Sequence, residues 1–542
     1  MRALVLPRRT GRNGLLAVTA SAALIGASVV PAGADTAPPQ GTPPTVSADA
    51  LPTWQVNGVV WSMTTVGNTV YATGNFTKAR PPGTAAGNAK EVTRNNILAF
   101  DIRTGNLITT FNHSLNGQGL RIVRSPDGKR VYVGGEFTQV DGQPRSRIAA
   151  FDTATGKLVA GFAPKVSNKV RAIAATNNWV FIGGNFFNVN GKSRTRLASV
   201  RATDGALSEW RPTADDDEVM AMAISGSRVL VGGKFQKLNG TAKVGIGAVN
   251  GSTGALAPWS SRPIPTRQGD KFSYVTDLTV SGENVYGTAN GEGFHWFDGR
   301  FAAKAETGEL VWLDNCYGAS YGIFAQGQSI YSVSHAHDCS SLGAFPETTP
   351  QTWHRALAET SYATGKDKAA PGSNSNYRNQ PIPSLLQWYP TLAMGSFTKQ
   401  YQAAWAVTGT SQYIAMGGEF PRVNGVNQQG LVRFGVKDVA PNKSGPIKAD
   451  LGTPKATRNA VTKQTTISWK TTWDMDNKNL TYEILRDNGT TPIGTVKRDS
   501  NFWTMPNATF TDTTAPAGKH TYRIRVKDPF GVTITSAASN SV

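Results

Sequence analysis

Short apolar strands separated by turn residues recur through the middle of the chain, in units of about fifty residues. In each clear unit, a strand of large apolar residues ends in two glycines and is followed by a phenylalanine. A strand of small apolar residues comes before it, and an alternating strand and an outer strand come after it. The clearest copies of the glycine-containing strand are residues 131–137, 180–186, 229–235 and 413–420, with residues 70–76 as a variant.

Turn dipeptides follow these strands and tolerate the positive φ angles of tight hairpins. They are Asp141-Gly142, Asn190-Gly191, Asn239-Gly240 and Asn424-Gly425. The outer strand of each unit ends near an aromatic residue, such as Phe162, Trp210 or Trp259. Four antiparallel strands per unit are the content of one propeller blade, so the pattern predicts an all-β fold with a β-propeller.

The propeller is predicted over residues 51–438, with seven blades preferred and six or eight as alternatives. A solenoid is the competing architecture, but each unit is a compact antiparallel meander and no capping repeats are present. The fifth and sixth units are degenerate, and the sixth carries an insertion around residues 341–400. The units begin near Val59, Ile122, Ala172, Met222, Leu278, Ile323 and Ala403.

The Gly-Gly-x-Phe, Asn-Gly and Thr-Gly units resemble the delta-sixty type β-propeller repeat of secreted bacterial proteins. Residues 417–425, followed by residues 428–434 and 440–442, are similar to the closing segment of actinobacterial exported propellers. The resemblance covers residues 54–446. It implies a secreted propeller, and it assigns no activity to any named residue.

The sequence of the C-terminal region predicts a second domain. Residues 439–450 are rich in proline, lysine and glycine and are predicted to form a linker. Residues 451–542 alternate as short strands, with Trp469 and Tyr522 pointing inward. The segment 512–528 resembles the fibronectin type III pattern around its tyrosine corner. We therefore expect a β-sandwich that acts as a spacer or accessory module.

The N-terminus has the pattern of a secretory signal peptide over residues 1–34, followed by a linker over residues 35–50. Four arginines precede an apolar stretch at residues 14–30, and Ala32-Gly33-Ala34 supplies a small-residue cleavage site. An uncleaved anchor is the alternative. No later apolar run is long enough to cross a membrane. The expected location is extracellular, either secreted or associated with the cell surface.

The chain carries 55 lysines and arginines against 36 acidic residues, a formal net charge of +19. The positive charge is spread along the chain and not gathered in one run, which argues against specific nucleic-acid binding. Outside a cell, the same charge would attract anionic wall polymers. The two cysteines, Cys316 and Cys339, predict one structural disulfide in an oxidising compartment.

Four of the six histidines fall within one stretch of the chain: His295, His335, His337 and His354. On a strand, His335 and His337 would point to the same face and lie close enough to share a metal ion. Asp338 would then face the other way. The alternative is that both histidines make ordinary hydrogen bonds beside the disulfide. We treat His335, His337 and Asp338 as candidate ligand-binding residues and expect neither a metal nor another cofactor.

The predicted insertion is rich in aromatic residues among polar ones, and three of them are further ligand-binding candidates: Trp353, Trp388 and Tyr389. Aromatic rings on a polar loop can stack on sugar rings or contact a protein partner. They can equally fasten a long loop onto the propeller as a small core of their own. The sequence leaves both interpretations open.

Three classes of function fit this sequence. The first is a non-catalytic binding or scaffold protein that recognises an extracellular polysaccharide or a surface protein through one propeller face. The second is a carbohydrate-active hydrolase or lyase with its site in the degenerate units, although no catalytic residue can be named. The sequence has no nucleophile elbow, phosphate-binding loop, metalloprotease helix or kinase signature. The third is a purely structural surface protein.

Overall fold

The computed structural model describes residues 42–260, 264, 267–268, 271–291, 297–368 and 377–542. Strands make up 46% of the structure and helices 1%, which confirms the all-β fold class. The helical residues include two short 3-10 segments, Ser340–Leu342 and Lys448–Asp450. The predicted signal peptide and His295 lie outside the described residues.

Seven antiparallel sheets follow one another in the described part of the chain between residues 59 and 435, and we number them in chain order. Sheets 1 to 3 consist of Val59–Val66, Thr69–Asn75 and Ile97–Asp101; Gly119–Arg124, Arg130–Gly135 and Ile148–Asp152; and Val170–Ala175, Trp179–Gly184 and Leu197–Arg201. Sheet 4 consists of Val219–Ser225, Arg228–Gly233, Ile246–Asn250 and Leu256–Ala257. Sheet 5 consists of Arg267–Gln268, Lys271–Ser281, Asn284–Gly291, Arg300–Lys304 and Leu310–Asp314. Sheets 6 and 7 consist of Ser320–Gln326, Ser329–Ala336 and His354–Thr360; and Ala404–Gly409, Tyr413–Gly418 and Leu431–Gly435.

The sheets are arranged in a ring. The innermost strand of each sheet, which is the first strand except in sheet 5, where it is Lys271–Ser281, lies beside the innermost strand of the next. The innermost strand of sheet 7 lies beside that of sheet 1. This is a β-propeller repeat fold, as the repeated pattern predicts.

The repeated pair of glycines has a packing reason at each of its two positions. A side chain at Gly183 would place its Cβ 2.5 Å from Val219 Cγ1 on the first strand of sheet 4. A Cβ at Gly184 would lie 2.2 Å from the Lys169 carbonyl oxygen. The first glycine therefore lets the next sheet approach, and the second lets the neighbouring strand approach within its own sheet.

Small two- and three-stranded ribbons project from the long connections. Their tight turns have the positive φ angles that the Asp-Gly and Asn-Gly dipeptides predict, for example 50° at Asp141 and 74° at Gly142. The ribbons comprise Gln55–Val56, Lys78–Arg80 and Val92–Thr93; Gln139–Val140 and Gln143–Pro144; Asn188–Val189 and Lys192–Ser193; Ala214–Asp215, Lys237–Leu238 and Thr241–Ala242; Gly365–Lys366 and Pro381–Ile382; and Arg422–Val423 and Val426–Asn427.

The N-terminal segment, residues 42–50, lies in the range predicted as a linker and is mostly buried. The Ser47 backbone N–H donates to the Gly435 carbonyl oxygen at 2.8 Å, and the Leu51 N–H donates to that of Arg433 at 2.8 Å. Val46 and Ala48 are fully buried against sheets 6 and 7. The segment thus covers the outer edge of sheet 7 with residues from the beginning of the described chain.

The C-terminal module consists of two packed antiparallel sheets. One contains Lys455–Arg458, Thr465–Lys470 and Asn507–Asp512, and the other contains Asn479–Arg486, Gly494–Asp499, Tyr522–Lys527 and Thr533–Thr535. Trp469 is 3% exposed and Tyr522 is fully buried, in the positions that the alternating pattern predicts. The Tyr522 hydroxyl donates to the Asp512 carboxylate at 2.9 Å, which ties two strands of opposite sheets together.

An aromatic cluster joins this module to the propeller. Phe502 and Trp503 of the module pack against Phe345, with ring centroids 5.5 Å and 5.9 Å away. Tyr389 meets Trp503 edge to face at 5.6 Å, and His354 stacks on Phe502 at 4.5 Å. The predicted disulfide between Cys316 and Cys339 is confirmed, and it is buried beside this cluster.

Candidate functional site

Each of the seven sheets has a β-bulge in its innermost strand. A bulge redirects the side chain of the extra residue. Here all seven bulged residues line one central channel of about 760 Å³. They are Trp61, Leu120, Arg171, Met220, Thr276, Tyr321 and Trp405. The bulges therefore place seven different side chains around one end of the channel, which we call the channel mouth.

One side of the channel mouth is aromatic. It is formed by four residues, which we call the aromatic arc: Trp61, Tyr274, Tyr321 and Trp405. Trp405 is central, with ring centroids 4.9 Å from Trp61 and 4.3 Å from Tyr321. The Trp61 Nε1–H donates to Gln118 Oε1 at 2.9 Å, and the Trp405 Nε1–H donates to Glu419 Oε1 at 3.1 Å. These hydrogen bonds fix the orientation of both indole rings.

A smaller cavity of about 140 Å³ adjoins the aromatic arc, and Gln400 lines both cavities. We call it the rim groove, and its lining residues are His335, Trp353, Arg355, Met394, Gln400 and Tyr401. Trp353 is 44% exposed, Met394 47% and Tyr401 61%. Large apolar side chains exposed side by side at the edge of a concave site are typical of a binding surface.

The opposite side of the channel mouth is charged. Lys169 Nζ lies 3.1 Å from Glu218 Oε1, and Arg171 Nη1 lies 3.9 Å from Glu218 Oε2. Lys234 Nζ lies 4.4 Å from the centroid of the Tyr274 ring. We call Lys169, Arg171 and Lys234 the basic arc; Arg171 and Lys234 line the channel, and Lys169 adjoins it through Glu218. It lies on sheets 3 and 4, and Lys234 brings it into contact with the aromatic arc.

The carboxylates that line the channel are engaged. Asp277 Oδ1 lies 2.7 Å from Arg121 Nη1, while its Oδ2 accepts the Ile323 backbone N–H at 3.2 Å. Glu136 accepts a hydrogen bond from Gln118 at 2.8 Å. Asp298 is not among the channel-lining residues, and burial raises its pKa to about 7. Its two oxygens accept the backbone N–H groups of Gly291 and Gly318.

The two candidate histidines have different surroundings. His335 lines the rim groove, its Nδ1 lies 3.3 Å from Gln402 Nε2, and its Nε2 accepts the Ala319 backbone N–H. Burial lowers the pKa of His335 to about 4, and the neighbouring His337 and Arg355 lower it further in the same direction. His337 follows the strand, stacks on Tyr317 and places its Nδ1 3.4 Å from Glu347. Burial also lowers the pKa of His337. Only His335 belongs to the rim groove.

The other predicted site residues are distributed between surface and core. Trp353 is exposed in the rim groove. Asp338 accepts the Ser340 backbone N–H at 2.9 Å, at the first residue of a short 3-10 segment. Trp388 is fully buried between Tyr331 and Phe434, and Tyr389, 4% exposed, packs in the cluster that joins the module. Of the predicted aromatic residues, the structure brings Trp353 to the site and gives Trp388 and Tyr389 packing contacts.

The aromatic arc was not identified from the sequence. Each of Trp61, Tyr321 and Trp405 lies inside a short apolar strand, where an aromatic residue is ordinarily assigned to the core. One feature of the sequence does point to the aromatic arc, namely the residue types found at one aligned position of the repeat. When the units are aligned, these large residues share a position near the start of the first strand that is occupied by Arg171 in sheet 3. The other sheets have Leu120, Met220 and Thr276 there, so the position varies between charged, polar, aliphatic and aromatic residues, which is not typical of a packed interior.

Comparisons with known proteins agree with a repeat architecture. Residues 93–359, just under half of the chain, match the family model described as outer membrane protein assembly factor BamB. No curated protein matches the chain. The match supports a BamB-like repeat in this part of the chain.

Solved structures with detectable similarity include three of different kinds. The extracellular domain of a putative hybrid two-component system from B. thetaiotaomicron is 11% identical, with 90% of this chain covered and a TM-score of 0.38. The alignment spans 57% of that protein's length. A chain of the mitotic checkpoint complex is 10% identical, with 73% of this chain and 98% of that chain covered and a TM-score of 0.41. A quinohemoprotein alcohol dehydrogenase from Pseudomonas putida HK5 is 12% identical, with 78% and 72% covered and a TM-score of 0.31. None of these values assigns a function to this chain.

In the part of the chain that the structure describes, no helix has the length and apolar character needed to span a bilayer.

Proposed function

We propose that this chain is an exported, non-catalytic binding protein that recognises a polysaccharide at the channel mouth and the rim groove. We interpret the seven sheets as the seven blades of one propeller. We interpret the C-terminal module as a fibronectin type III-like domain that the aromatic cluster attaches to the propeller. The predicted signal peptide, which lies outside the described residues, is the basis for the extracellular location.

The aromatic residues of the site carry this proposal. The aromatic arc and the exposed rings of Trp353 and Tyr401 lie along one continuous surface, because Gln400 connects the two cavities. Sugar rings have apolar faces that stack on aromatic side chains, while their hydroxyl groups need hydrogen-bonding partners. Gln118, Asn290 and Gln400 supply polar groups along the same lining. An extended polymer could occupy both cavities at once.

The hydrolase or lyase alternative needs two carboxyl groups on opposite sides of a sugar bond. Asp298, with a pKa of about 7, has the titration range of a general acid. However, each of its oxygens accepts a backbone N–H group, one from Gly291 and one from Gly318, so both oxygens are engaged by the protein itself. The lining carboxylates are also engaged. Binding without turnover is therefore the function that the geometry supports best.

The test is binding of the purified mature protein to insoluble polysaccharides and isolated cell walls, measured by co-sedimentation at low and high salt. We expect at least one polysaccharide to retain binding at high salt and to be displaced by its own soluble fragments. The double variant Trp353→Ala/Tyr401→Ala should weaken that binding by roughly tenfold or more, since stacking contacts contribute about 1 kcal/mol each.

A matched control is available on sheet 3. Trp179 is 37% exposed and lies outside both cavities, so Trp179→Ala removes a similar indole without touching the site. The proposal would be overturned if both variants bound equally well. Release of reducing sugar ends by the wild type, lost in Asp298→Asn, would establish the enzymatic alternative instead.

A further inference from the structure

The basic arc has more positive charge than its carboxylate neutralises. Lys169 and Arg171 both approach the single carboxylate of Glu218. Among the described residues, no carboxylate oxygen lies within ion-pair distance of Lys234. Glu136, on the neighbouring sheet, is exposed and accepts a hydrogen bond from Gln118. The channel mouth therefore keeps an excess positive charge on one side.

This excess lies within a concave site, and that increases its effect. A cleft with low-dielectric walls focuses the field of its charges and raises the local concentration of oppositely charged ligands. Glu218 has only 10% of its side chain exposed, whereas 36% of the Arg171 side chain is exposed. The cations therefore face a ligand in the mouth more directly than the carboxylate does.

We propose that the polysaccharide bound here is an acidic one, whose sugar rings stack on the aromatic arc while their carboxylate groups pair with Lys234 and Arg171. This inference rests on the proposed function and specifies its substrate class. The contact between Lys234 and Tyr274 supports it, because the ammonium group lies over one ring of the aromatic arc and so places a cation within the stacking site. A uronic acid carries its carboxylate directly on the sugar ring, so its ring face and its charge are as close together as the aromatic ring and the cation of this contact.

The experiment compares acidic polymers with their own carboxyl-reduced forms. Polygalacturonate, alginate and hyaluronan are each reduced to the corresponding neutral polymer, and binding of the full mature protein is measured by calorimetry at physiological ionic strength. We expect at least one acidic polymer to bind tenfold or more tightly than its reduced form. Lys234→Met and Arg171→Met should each weaken binding of that acid by roughly fivefold and leave the neutral form unchanged.

The control separates this site from the general positive charge of the protein. Lys237→Met removes an exposed lysine three positions from Lys234, outside the channel lining, and should leave binding of the acid within twofold. Equal effects of Lys234→Met and Lys237→Met would overturn the inference. So would equal binding of the acidic and reduced polymers, a result that leaves the proposed function intact. Failure of every polysaccharide to bind would overturn both.

Discussion

Trp61 in the first sheet and Trp405 in the last meet edge to face, with their ring centroids 4.9 Å apart and their planes at 68°. The two residues occupy equivalent bulge positions at the two ends of the repeat region. Their contact therefore belongs both to the closure of the ring and to the aromatic arc of the proposed binding site. On that proposal, stability and ligand recognition depend on the same pair of side chains.

Replacing Trp405 by alanine should destabilise the protein by about 3 kcal/mol, because it leaves a cavity beside Trp61 and Tyr321 and removes the donor to Glu419. Denaturant unfolding at equilibrium measures this change. Trp179→Ala, at an exposed indole, should change the free energy of unfolding by less than about 0.5 kcal/mol. Equal effects of the two substitutions would mean that ring closure does not depend on this contact.

Gly183→Ala should destabilise the protein by about 2 kcal/mol, since the added methyl group would overlap Val219 Cγ1. Val219→Ala opens space at that point, at the expense of some packing of its own. The double variant should lose less stability than the sum of the losses in the two single variants, with a coupling free energy of about 1 kcal/mol. Strict additivity would show that the glycine is required for a reason other than the approach of sheet 4.

Trp503→Ala should uncouple the C-terminal module from the propeller. The indole packs against Phe345 and Tyr389 across the junction. Scanning calorimetry should give one cooperative transition for the wild type and two separate transitions for the variant. Val461→Ala, at a module residue that is 88% exposed, serves as the control and should keep the single transition. A single transition in both variants would contradict a docking role for the cluster.

Acid should weaken the same junction. Burial lowers the pKa of His354 to about 4, with a smaller contribution from Arg355, whereas an unfolded histidine titrates near pH 6.5. As the pH falls, the unfolded chain therefore binds a proton at His354 before the folded protein does. The contribution of neutral His354 to the free energy of unfolding is lost as the pH falls from about 6.5 to about 4. His354→Phe keeps a ring against Phe502 and removes the titration. Its unfolding free energy should vary less with pH over this range, and an unchanged pH profile would count against the assignment.

The architecture could be predicted from the sequence because local backbone geometry imposes it repeatedly. Glycine is required at positions 183 and 184 because other atoms approach too closely for a side chain. The Asp141-Gly142 dipeptide is favoured because the turn needs positive φ angles. Such requirements act on single residue types at a constant spacing, so they remain visible even where the other residues vary. The confirmed disulfide has the same local character, since Cys316 and Cys339 are only 23 positions apart.

The candidate site could not be predicted in this way, because a bulge position imposes no residue type. Trp61, Arg171 and Tyr321 occupy equivalent positions and become neighbours only when the ring closes. Aromatic residues in the insertion illustrate the same limit. Trp353 and Trp388 both belong to the predicted insertion, yet only Trp388 is buried, by contacts with Tyr331 and Phe434 from two different sheets. Burial was decided by residues distant in the sequence.

The buried N-terminal segment is held by residues that come far later in the chain. Its Ala48 N–H donates to the carboxylate of Asp476, 428 positions later, and its Ser47 N–H donates to the carbonyl oxygen of Gly435. Because synthesis starts at the N-terminus, this segment is made long before Gly435 and Asp476. Contacts this distant in sequence form slowly. The segment is thus synthesised before the residues that hold it, and a nascent chain shorter than about residue 435 lacks the complete outer strand of sheet 7 that the segment covers.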